Sequence, residues 1–477
     1  MGWFSRKSKP VIDLDPEVLT LGNADRLLFS QTAQHVAYSG MTGAGKTTAV
    51  RHLTGSLLQM QCSFVVACVK PDEGSTWVEH CQHHGRGADC LILAPGKTAV
   101  RLDLVAYELN RPGGSVESLV QLLVALAKVV NRNGGDNAQN EAFWQSSMET
   151  LLRQALTALH YGSQQPPITM DLYQLLTSLP ESAEFVRTEA FLNTKLARLL
   201  GFAGHQQFPP HIKQQLGLAF DYLTGTFARL SDRTRSVIEA MVRNTLEPLV
   251  STEAAEVFAS GVVNETPDSM MANRKVVILD WPVLVGNEPA RAWNALWILL
   301  FQRAGLRRQI GPDSPPLVVF RDEYPQIATP SEDAKATLTG RSQKVLSVIL
   351  FQSLPAAISA LGGTDVARQE FLTVLGNHGV KFIGNTTCPE TGQFFSQMFG
   401  SDRRMLMNGS IRPEELHPAD LLFGTPTNQQ FGFSEQILPL VRPEQFATLR
   451  QGEFFIHRAG PAFRNGRPFK RIQFAKE

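Results

Sequence analysis

Short, continuous hydrophobic runs recur along the chain and predict the strands of a buried sheet. They are rich in Val, Ile and Leu and lack polar alternation, which is typical of strands covered on both faces of a parallel sheet. Between several runs the apolar positions have helical spacing, as at Val50, Leu53 and Leu57. Alternating strands and helices predict an α/β fold with a mainly parallel sheet. The runs lie at 35–39, 63–69, 91–93, 276–280, 317–320, 345–351 and 380–383.

The region between about residues 115 and 265 has a different pattern, because helix-like segments follow one another there without strand signals. We therefore expect an all-α domain at 115–268, inserted into an α/β domain formed by 21–114 and 269–477. Residues 1–20 are expected to form an N-terminal tail. The alternative is a single large domain, which the return of strand patterns at Val276 disfavours. The helix-like segments are 116–130, 140–160, 170–179, 212–228 and 234–249.

A glycine-rich segment follows the first hydrophobic run and matches the phosphate-binding loop pattern GxxxxGK[ST]. Its glycines allow backbone amides at a helix N-terminus to surround phosphate oxygens. Lys46 is then expected to contact the β- and γ-phosphates, and the Thr47 hydroxyl is expected to bind Mg²⁺. The predicted cofactors are ATP and Mg²⁺. The predicted nucleotide-binding residues are Gly40, Met41, Thr42, Gly43, Ala44, Gly45, Lys46, Thr47 and Thr48.

Two later runs end in carboxylates that can complete such a site. The run at 317–320 leads to Asp322 and Glu323, whereas the run at 276–280 ends in Asp280 alone. Two adjacent acids can fill two roles, so we expect Asp322 to hold the Mg²⁺ shell and Glu323 to polarise the attacking water. Asp280 is expected to end the neighbouring strand.

A glutamine and an arginine are further catalytic candidates. Gln352 directly follows the run at 345–351, which places it at the carboxyl edge of a parallel sheet, where it can sense the γ-phosphate; a turn glutamine is an equal alternative. Arg341 precedes the same run and can reach a nucleotide on a neighbouring subunit. An exposed arginine without such a role is the commoner case.

The net charge and the lengths of the hydrophobic segments limit how the chain can contact nucleic acids and membranes. The 477 residues carry a formal net charge of +1, so we expect any nucleic-acid contact to be local, in a channel or groove. The most apolar helical segments, 119–130 and 293–301, are shorter than the roughly 18 residues that a membrane span needs. The terminal residues Trp3, Phe4 and Arg6 can at most touch a membrane surface.

Two residue clusters allow a functional and a structural interpretation. The spacing of His80, Cys81 and Cys90 matches no zinc pattern, so a surface helix followed by a strand is preferred to a metal site. The five cysteines form no regular framework, which favours a reducing compartment. The C-terminal cations can grip a nucleic-acid strand or lie on a solvated edge strand, and the second reading is preferred. They are Arg458, Arg464, Arg467, Lys470, Arg471 and Lys476, interleaved with Phe463, Phe469 and Phe474.

Taken together, these motifs resemble the type IV secretion coupling proteins of the VirD4/TraG/TraD group, which are related to the FtsK and HerA DNA translocases. The resemblance runs from about residue 20 to 475 and rests on the phosphate-binding loop and on the segments 319–325, 340–341 and 351–353. Weaker similarities lie at 69–73, 140–144 and 230–236. Lys70 and Pro71 reverse the order expected in this family, so Lys70 is given no role.

The resemblance implies a RecA-like P-loop NTPase fold in a hexameric ATPase. Such a protein pumps DNA, expected to be single-stranded with an attached relaxase, towards a conjugation channel. Arg341 is then expected to act in trans and Gln352 to sense the γ-phosphate. The implied partners are relaxosome or effector cargo at the all-α domain and membrane channel proteins, with a location in the cytoplasm or at the inner membrane. Alternatives are a HerA/FtsK-like duplex translocase and a nucleotide-gated cargo adaptor. Many coupling proteins carry N-terminal transmembrane helices, and no such segment is predicted here.

Overall fold

The computed structural model describes residues 15–22, 25–131, 138–412 and 428–474, with the side chains of 138–141 and 408–431 excepted. The predicted membrane-contacting residues Trp3, Phe4 and Arg6, and the C-terminal Lys476, lie outside the described residues. None of the described helices is both long and apolar enough to cross a bilayer.

Thirteen strands occur in the described part of the chain, and nine of them form one sheet. The order across this sheet is β13-β12-β9-β3-β8-β7-β4-β6-β5. The strands are β1 (Glu17–Thr20), β2 (Arg26–Leu28), β3 (Val36–Ser39), β4 (Ser63–Ala67), β5 (Cys90–Leu93), β6 (Val276–Leu279), β7 (Leu317–Arg321), β8 (Val345–Phe351), β9 (Val380–Ile383), β10 (Ser401–Arg412), β11 (Asn428–Pro439), β12 (Glu453–Arg458) and β13 (Phe469–Gln473).

The strands β3 to β9 run parallel to one another, whereas β12 and β13 add antiparallel pairs at one side. Each of the seven predicted hydrophobic runs forms one of these parallel strands. The strands inside the sheet are buried along their whole length because helices cover both faces. The predicted α/β fold with a mainly parallel sheet is therefore confirmed.

Nineteen α-helices occur in the described residues. They are α1 (Phe29–Thr32), α2 (Lys46–Gln59), α3 (Glu73–His83), α4 (Leu104–Asn110), α5 (Val116–Val130), α6 (Ala138–Gly162), α7 (Thr169–Thr177), α8 (Glu189–Leu192), α9 (Lys195–Gly204), α10 (Pro210–Asp221), α11 (Asp232–Val250), α12 (Ala255–Phe258), α13 (Pro267–Ala272), α14 (Val283–Arg307), α15 (Pro330–Thr339), α16 (Leu354–Ala360), α17 (Asp365–Asn377), α18 (Pro389–Phe399) and α19 (Pro443–Ala447).

The helices α4 to α13 lie between β5 and β6, and the chain leaves and re-enters this region at one point. Leu102 and Val263 form an isolated antiparallel bridge there. The buried Asp103 carboxylate accepts hydrogen bonds from the amides of Thr169 and Gly261, both at 3.0 Å. Because one carboxylate fixes three chain segments, the two ends of the helical region are held together. The division into domains at 115 and 268 stays a prediction.

The helical region shares its hydrophobic core with one face of the sheet. A single buried cluster contains Leu123 of α5, Leu246 of α11, Trp297 of α14 and Val319 of β7. The helix α14 lies between the sheet and the other helices, and it contacts both α5 and α11. The helical region and the sheet are therefore packed together through α14.

A long two-stranded ribbon was not predicted. The residues of β10 pair with those of β11 one for one, from Ser401 with Pro439 to Arg412 with Asn428. The ribbon forms a separate two-stranded sheet. Its sequence places Arg403 beside Arg404 and includes Gly409, so it lacks the continuous apolar run that identified the other strands.

Candidate active site

The order of the strands determines which residues meet. The strands β3, β8 and β7 are neighbours and parallel, so their carboxyl ends lie side by side at one edge of the sheet. The glycine-rich loop follows β3, Gln352 follows β8, and Asp322 follows β7. The predicted phosphate loop, the acidic pair and the glutamine therefore come together at this edge.

The glycine-rich loop is anchored at the carboxyl ends of β8 and β9, the two strands that flank β3. The amide of Gly40 donates to the carbonyl of Phe351 at 3.3 Å, and the amide of Met41 donates to the carbonyl of Asn385 at 2.7 Å. The loop ends where α2 begins at Lys46, so the amides of the first helical turn have no carbonyl partner within the helix. Such amides bind anions at helix N-termini.

Gly45 is required by its backbone conformation and by a close neighbour. Its φ of +88° lies in the left-handed region, which side chains disfavour. A Cβ atom there would lie 2.8 Å from the backbone nitrogen of Gly452. The amide of Gly452 donates to the carbonyl of Ala44 at 2.9 Å, so the turn before β12 supports the loop from behind.

The buried Lys46 ammonium is held beneath the loop. Its Nζ donates to the carbonyls of Gly40 at 2.6 Å and of Met41 at 3.2 Å. Burial lowers the pKa of Lys46, while the charges of Glu323 and Asp322 act in the opposite direction. The ammonium is thus positioned between the loop and the acidic pair.

The acidic pair has a constrained backbone. Glu323 adopts a left-handed conformation, with φ and ψ both at 50°, and its amide donates to its neighbour Asp322 at 2.9 Å. A non-glycine residue in this region is held there only by its surroundings. The Glu323 carboxylate accepts a hydrogen bond of 3.1 Å from the exposed Gln352 amide. Gln352 therefore orients the predicted water-polarising group.

Lys70 is a residue of this site that the sequence analysis missed. Its Nζ lies 3.3 Å from Asp322, 3.4 Å from Glu73 and 3.8 Å from Glu323. Burial lowers the pKa of Lys70, but the three carboxylates outweigh it and the pKa is raised. Burial, with the nearby Asp322 charge, raises the pKa of Glu73 to about 7. Its position in the sequence could have identified Lys70, because it follows a buried hydrophobic run and therefore lies at the same edge of the sheet as Asp322.

Asp333 is a second missed residue, and it lies behind the acidic pair. Its carboxylate accepts hydrogen bonds from Arg321 at 2.6 Å, from Gln302 at 2.7 Å and from Tyr324 at 2.9 Å. Arg321 and Tyr324 flank the acidic pair in the chain. Asp333 therefore fixes both sides of the turn that carries Asp322 and Glu323.

Two predicted residues do not join this site. Arg341 precedes β8, so it lies at the amino edge of the sheet, a seven-residue strand away from Gln352, or roughly 23 Å at about 3.3 Å per residue. Asp280 follows β6, and β4 separates β6 from β7. The expectation that Asp280 ends the strand next to that of Asp322 is therefore wrong. Its carboxylate packs against Gly74 instead.

The two ambiguous clusters have structural roles in the described residues. His80 lies in α3, and its Nε2 is 3.0 Å from the Thr54 hydroxyl. Arg458 donates to the Arg26 carbonyl at 3.0 Å, and Lys470 pairs with Asp25 at 2.9 Å. The strand β13 forms the edge of the sheet, as the preferred interpretation predicted.

The donor set at the carboxyl edge suits a magnesium-bound polyphosphate. Oxygen ligands are those that Mg²⁺ prefers, and Thr47 and Asp322 supply a hydroxyl and a carboxylate. The loop supplies amides and the Lys46 ammonium for phosphate oxygens, and a Cβ at Gly45 would displace its supporting turn. Lys70 provides a second cation beside the carboxylates.

Comparison with known proteins identifies the fold. No family model matches the sequence, and no curated protein matches it. Solved structures of the plasmid coupling protein TrwB are similar to this chain over most of its length. The unbound form has 17% identity and a TM-score of 0.64, covering 97% of this chain and 89% of that one.

Two further TrwB structures contain nucleotides. The complex with the GTP analogue GDPNP has 17% identity and a TM-score of 0.63, covering 97% of this chain and 90% of that one. The complex with ADP and Mg²⁺ has 18% identity and a TM-score of 0.60, covering 95% and 88%. The chain therefore has the RecA-like P-loop fold of the conjugative coupling protein TrwB.

Proposed function

We propose that the chain is a Mg²⁺-dependent nucleoside triphosphatase. The observation that carries this proposal is the meeting of Lys46, Asp322 and Glu323 at one edge of the sheet, with Gln352 bonded to Glu323. Hydrolysis needs a cation at the transferred phosphate, a carboxylate for Mg²⁺ and a group that orients water. A site that only binds a nucleotide does not need a group that orients water.

Each residue has a distinct role in this proposal. The loop amides and Lys46 bind the phosphates and stabilise the charge on the transferred group. Thr47 and Asp322 hold Mg²⁺, which neutralises charge on the β- and γ-phosphates when it is bound. Glu323 orients the attacking water and accepts its proton, and Gln352 holds the Glu323 carboxylate in place.

The proposed nucleotide is ATP. TrwB structures with the ATP analogue ADPNP and with the GTP analogue GDPNP are both similar to this chain, so the fold accommodates either base in that protein. Comparing hydrolysis of ATP and GTP under the same conditions tests the choice. A kcat/KM for GTP equal to or above that for ATP would contradict it.

We further propose that hydrolysis drives DNA through a ring of identical subunits, as a coupling protein does. The fold shared with TrwB supports this proposal. The substrate is single-stranded DNA with an attached relaxase, delivered to a type IV secretion channel. Relaxosome or effector proteins bind the helical region, and the complex works in the cytoplasm or against the inner membrane.

Arg341 is proposed to act on the nucleotide of a neighbouring subunit. It is exposed and lies at the edge of the sheet opposite Lys46, so it cannot reach the nucleotide of its own subunit. Mixing inactive Arg341→Ala subunits with inactive Lys46→Ala subunits should restore some turnover, because some interfaces then contain both intact residues. No recovery at any mixing ratio would place the arginine elsewhere.

The central test measures ATP turnover with and without DNA. We expect wild-type turnover to rise with single-stranded DNA and Lys46→Ala to abolish it. Stimulation by duplex DNA alone would instead favour a HerA/FtsK-like duplex translocase. Turnover that responds to no DNA would favour a nucleotide-gated adaptor for protein cargo.

A further inference from the structure

A cavity of about 1140 Å³ opens between the helical region and the C-terminal end of α14. It is lined by Tyr107 of α4, by Arg111 directly after that helix, by Asp268 of α13 and by Arg303 and Arg307 of α14. Because β7 follows α14, the cavity lies towards the amino edge of the sheet, away from Lys46 and Asp322. It is therefore separate from the proposed nucleotide site.

The walls of the cavity carry more positive than negative charge. Its lining contains four arginines, and Asp268 is its only carboxylate among the described residues. Two of the arginines pair with carboxylates outside the lining, Arg111 with Glu108 at 2.7 Å and Arg303 with Glu332 at 3.2 Å. Arg307 bonds to Tyr107 and, at 2.6 Å, to Asp268. Within the part of the chain that the structure describes, Arg308 donates only to the carbonyls of Gln343 and Lys344 and to the Met271 sulfur. Its positive charge therefore has no carboxylate partner among these residues.

Two donors in this cluster also lack an acceptor in the described part of the structure. They are Nη1 of Arg307 and Nε of Arg308, both of which are buried. Buried donors are nearly always satisfied in folded proteins, by the protein itself, by water or by an ion. Burial lowers the pKa of Arg308, which reflects the cost of a cation without a counter-ion. A bound anion would supply the counter-ion that Arg308 lacks among the described residues.

The shape of the cavity restricts the anion. A duplex is too wide and stiff to enter a cavity of this volume, whereas unstacked nucleotides of a single strand can enter. The aliphatic stems of the arginines and Leu306 supply apolar surface for bases, and the guanidinium groups match phosphate geometry. The cavity therefore suits a flexible polyphosphate that also carries rings.

We propose that this cavity binds the backbone phosphates of single-stranded nucleic acid, with Arg303, Arg307 and Arg308 as its main contacts. The proposal rests on the proposed DNA-moving function and assigns it a contact site. It also gives a physical route to the active site. Gln302, next to Arg303 on α14, donates to Asp333 at 2.7 Å. A ligand that shifts α14 therefore acts on the turn that carries Asp322 and Glu323.

The experiment compares the wild-type protein with the double variant Arg303→Gln/Arg307→Gln. These changes remove two charges but leave few groups unpaired. Glu332, the partner of Arg303, keeps Lys335 at 2.6 Å, and the side chain of Asp268, the partner of Arg307, is 46% exposed. The matched control is Arg26→Gln/Arg368→Gln, two exposed arginines paired with carboxylates elsewhere. Binding of fluorescein-labelled oligothymidylate is followed by anisotropy over a range of salt concentrations.

We expect the double variant to bind oligothymidylate at least about tenfold more weakly. Its salt dependence should fall by about 1.4 in the slope of log K against log salt, or about 0.7 for each lost phosphate contact. Arg303→Lys/Arg307→Lys should retain most of the binding. The control pair should bind as the wild type does. Equal affinity and slope in the double variant and the control would overturn the proposal.

Three further measurements make the result decisive. Asn110→Asp adds a carboxylate to the cavity wall without breaking an ion pair, so it should weaken binding even if the double variant folds poorly.

An equal loss of duplex binding in the double variant would show that the cavity is not a single-strand site. Displacement of the oligonucleotide by millimolar inorganic phosphate would show that the cavity is a free-phosphate site. If the cavity variants hydrolyse ATP in a Lys46-dependent manner and all bind DNA as the wild type does, the cavity inference is overturned and the proposed motor function stands. No binding of any DNA by the wild type would overturn the motor function as well.

Discussion

Arg321 and Asp333 form an ion pair of 2.6 Å in which neither side chain is exposed to solvent. The pair joins the end of β7 to α15 directly behind the acidic pair Asp322 and Glu323. Removing one member of a buried pair leaves the other charge without a partner, which is strongly destabilising. This contact connects the stability of the fold with the geometry of the site.

We predict that Asp333→Asn lowers the free energy of unfolding by about 3–5 kcal/mol, because it leaves the Arg321 charge buried and unpaired. The exposed Asp365→Asn, at the start of α17, should cost less than about 1 kcal/mol. Denaturant unfolding of both variants measures the difference. Equal, small losses would show that the ion pair adds little to stability.

Two glycines of the phosphate loop offer a matched comparison. Both have positive φ, at +82° for Gly43 and +88° for Gly45, but only Gly45 has an atom within reach of an added Cβ. Gly43→Ala should therefore cost only the backbone strain of about 1 kcal/mol, whereas Gly45→Ala must also push away the turn at Gly452. We expect Gly45→Ala alone to lose binding of a fluorescent ADP analogue. Similar affinities in the two variants would contradict this explanation.

The hydrogen bond between Gln352 and Glu323 should matter for turnover and not for nucleotide affinity. We expect Glu323→Gln to lower kcat by about 10²–10⁴ and to leave ADP affinity nearly unchanged, because the water-orienting base is lost. Gln352→Ala should lower kcat less. If Gln352 acts by holding Glu323, the double variant should be no slower than Glu323→Gln. Additive losses would show that Gln352 acts independently.

Lys70 neutralises carboxylates that Mg²⁺ would also neutralise. Without metal, Lys70→Gln leaves Asp322, Glu323 and Glu73 close together, so the free energy of unfolding should fall by up to about 1 kcal/mol. Mg²⁺ with ADP should restore more stability to this variant than to the wild type. Thermal melting with and without Mg²⁺–ADP measures this. The same gain in both proteins would argue against a charge-balancing role.

Stability should also depend on pH through the buried His35. Burial lowers its pKa to about 4 in the folded protein, against about 6.5 for a solvent-exposed histidine. As pH falls, the unfolded chain therefore binds this proton before the folded protein does. The contribution of His35 to the free energy of unfolding is complete above about pH 6.5 and is lost towards pH 4, a loss of about 3 kcal/mol. Burial also lowers the pKa of His80, His378 and His457, so His35→Gln should reduce this dependence by the share of one histidine. The exposed His211→Gln should leave it unchanged. Urea unfolding between pH 7 and 4.5 distinguishes the two.

The sequence alone determined the parallel strands and the phosphate loop. Local features carry both: continuous apolar runs identify strands that are buried on both faces, and the glycine spacing identifies a loop that approaches phosphate closely. Asp322 and Glu323 could be chosen because they end such a run. The ribbon of β10 and β11 was missed because strands outside the core need no apolar run.

Only the tertiary structure decided which residues meet. The strand order puts β8 and β7 beside β3 and places β4 between β7 and β6, so Gln352 joins the site and Asp280 does not. Lys70 reaches the acidic pair from a distant part of the chain, and Asp333 folds back on the two residues that flank the pair. Arg341 lies at the opposite edge, although it is only eleven residues from Gln352 in the sequence. Sequence patterns report the burial and local conformation of a segment, whereas contacts between segments depend on strand order and packing, which no single segment encodes.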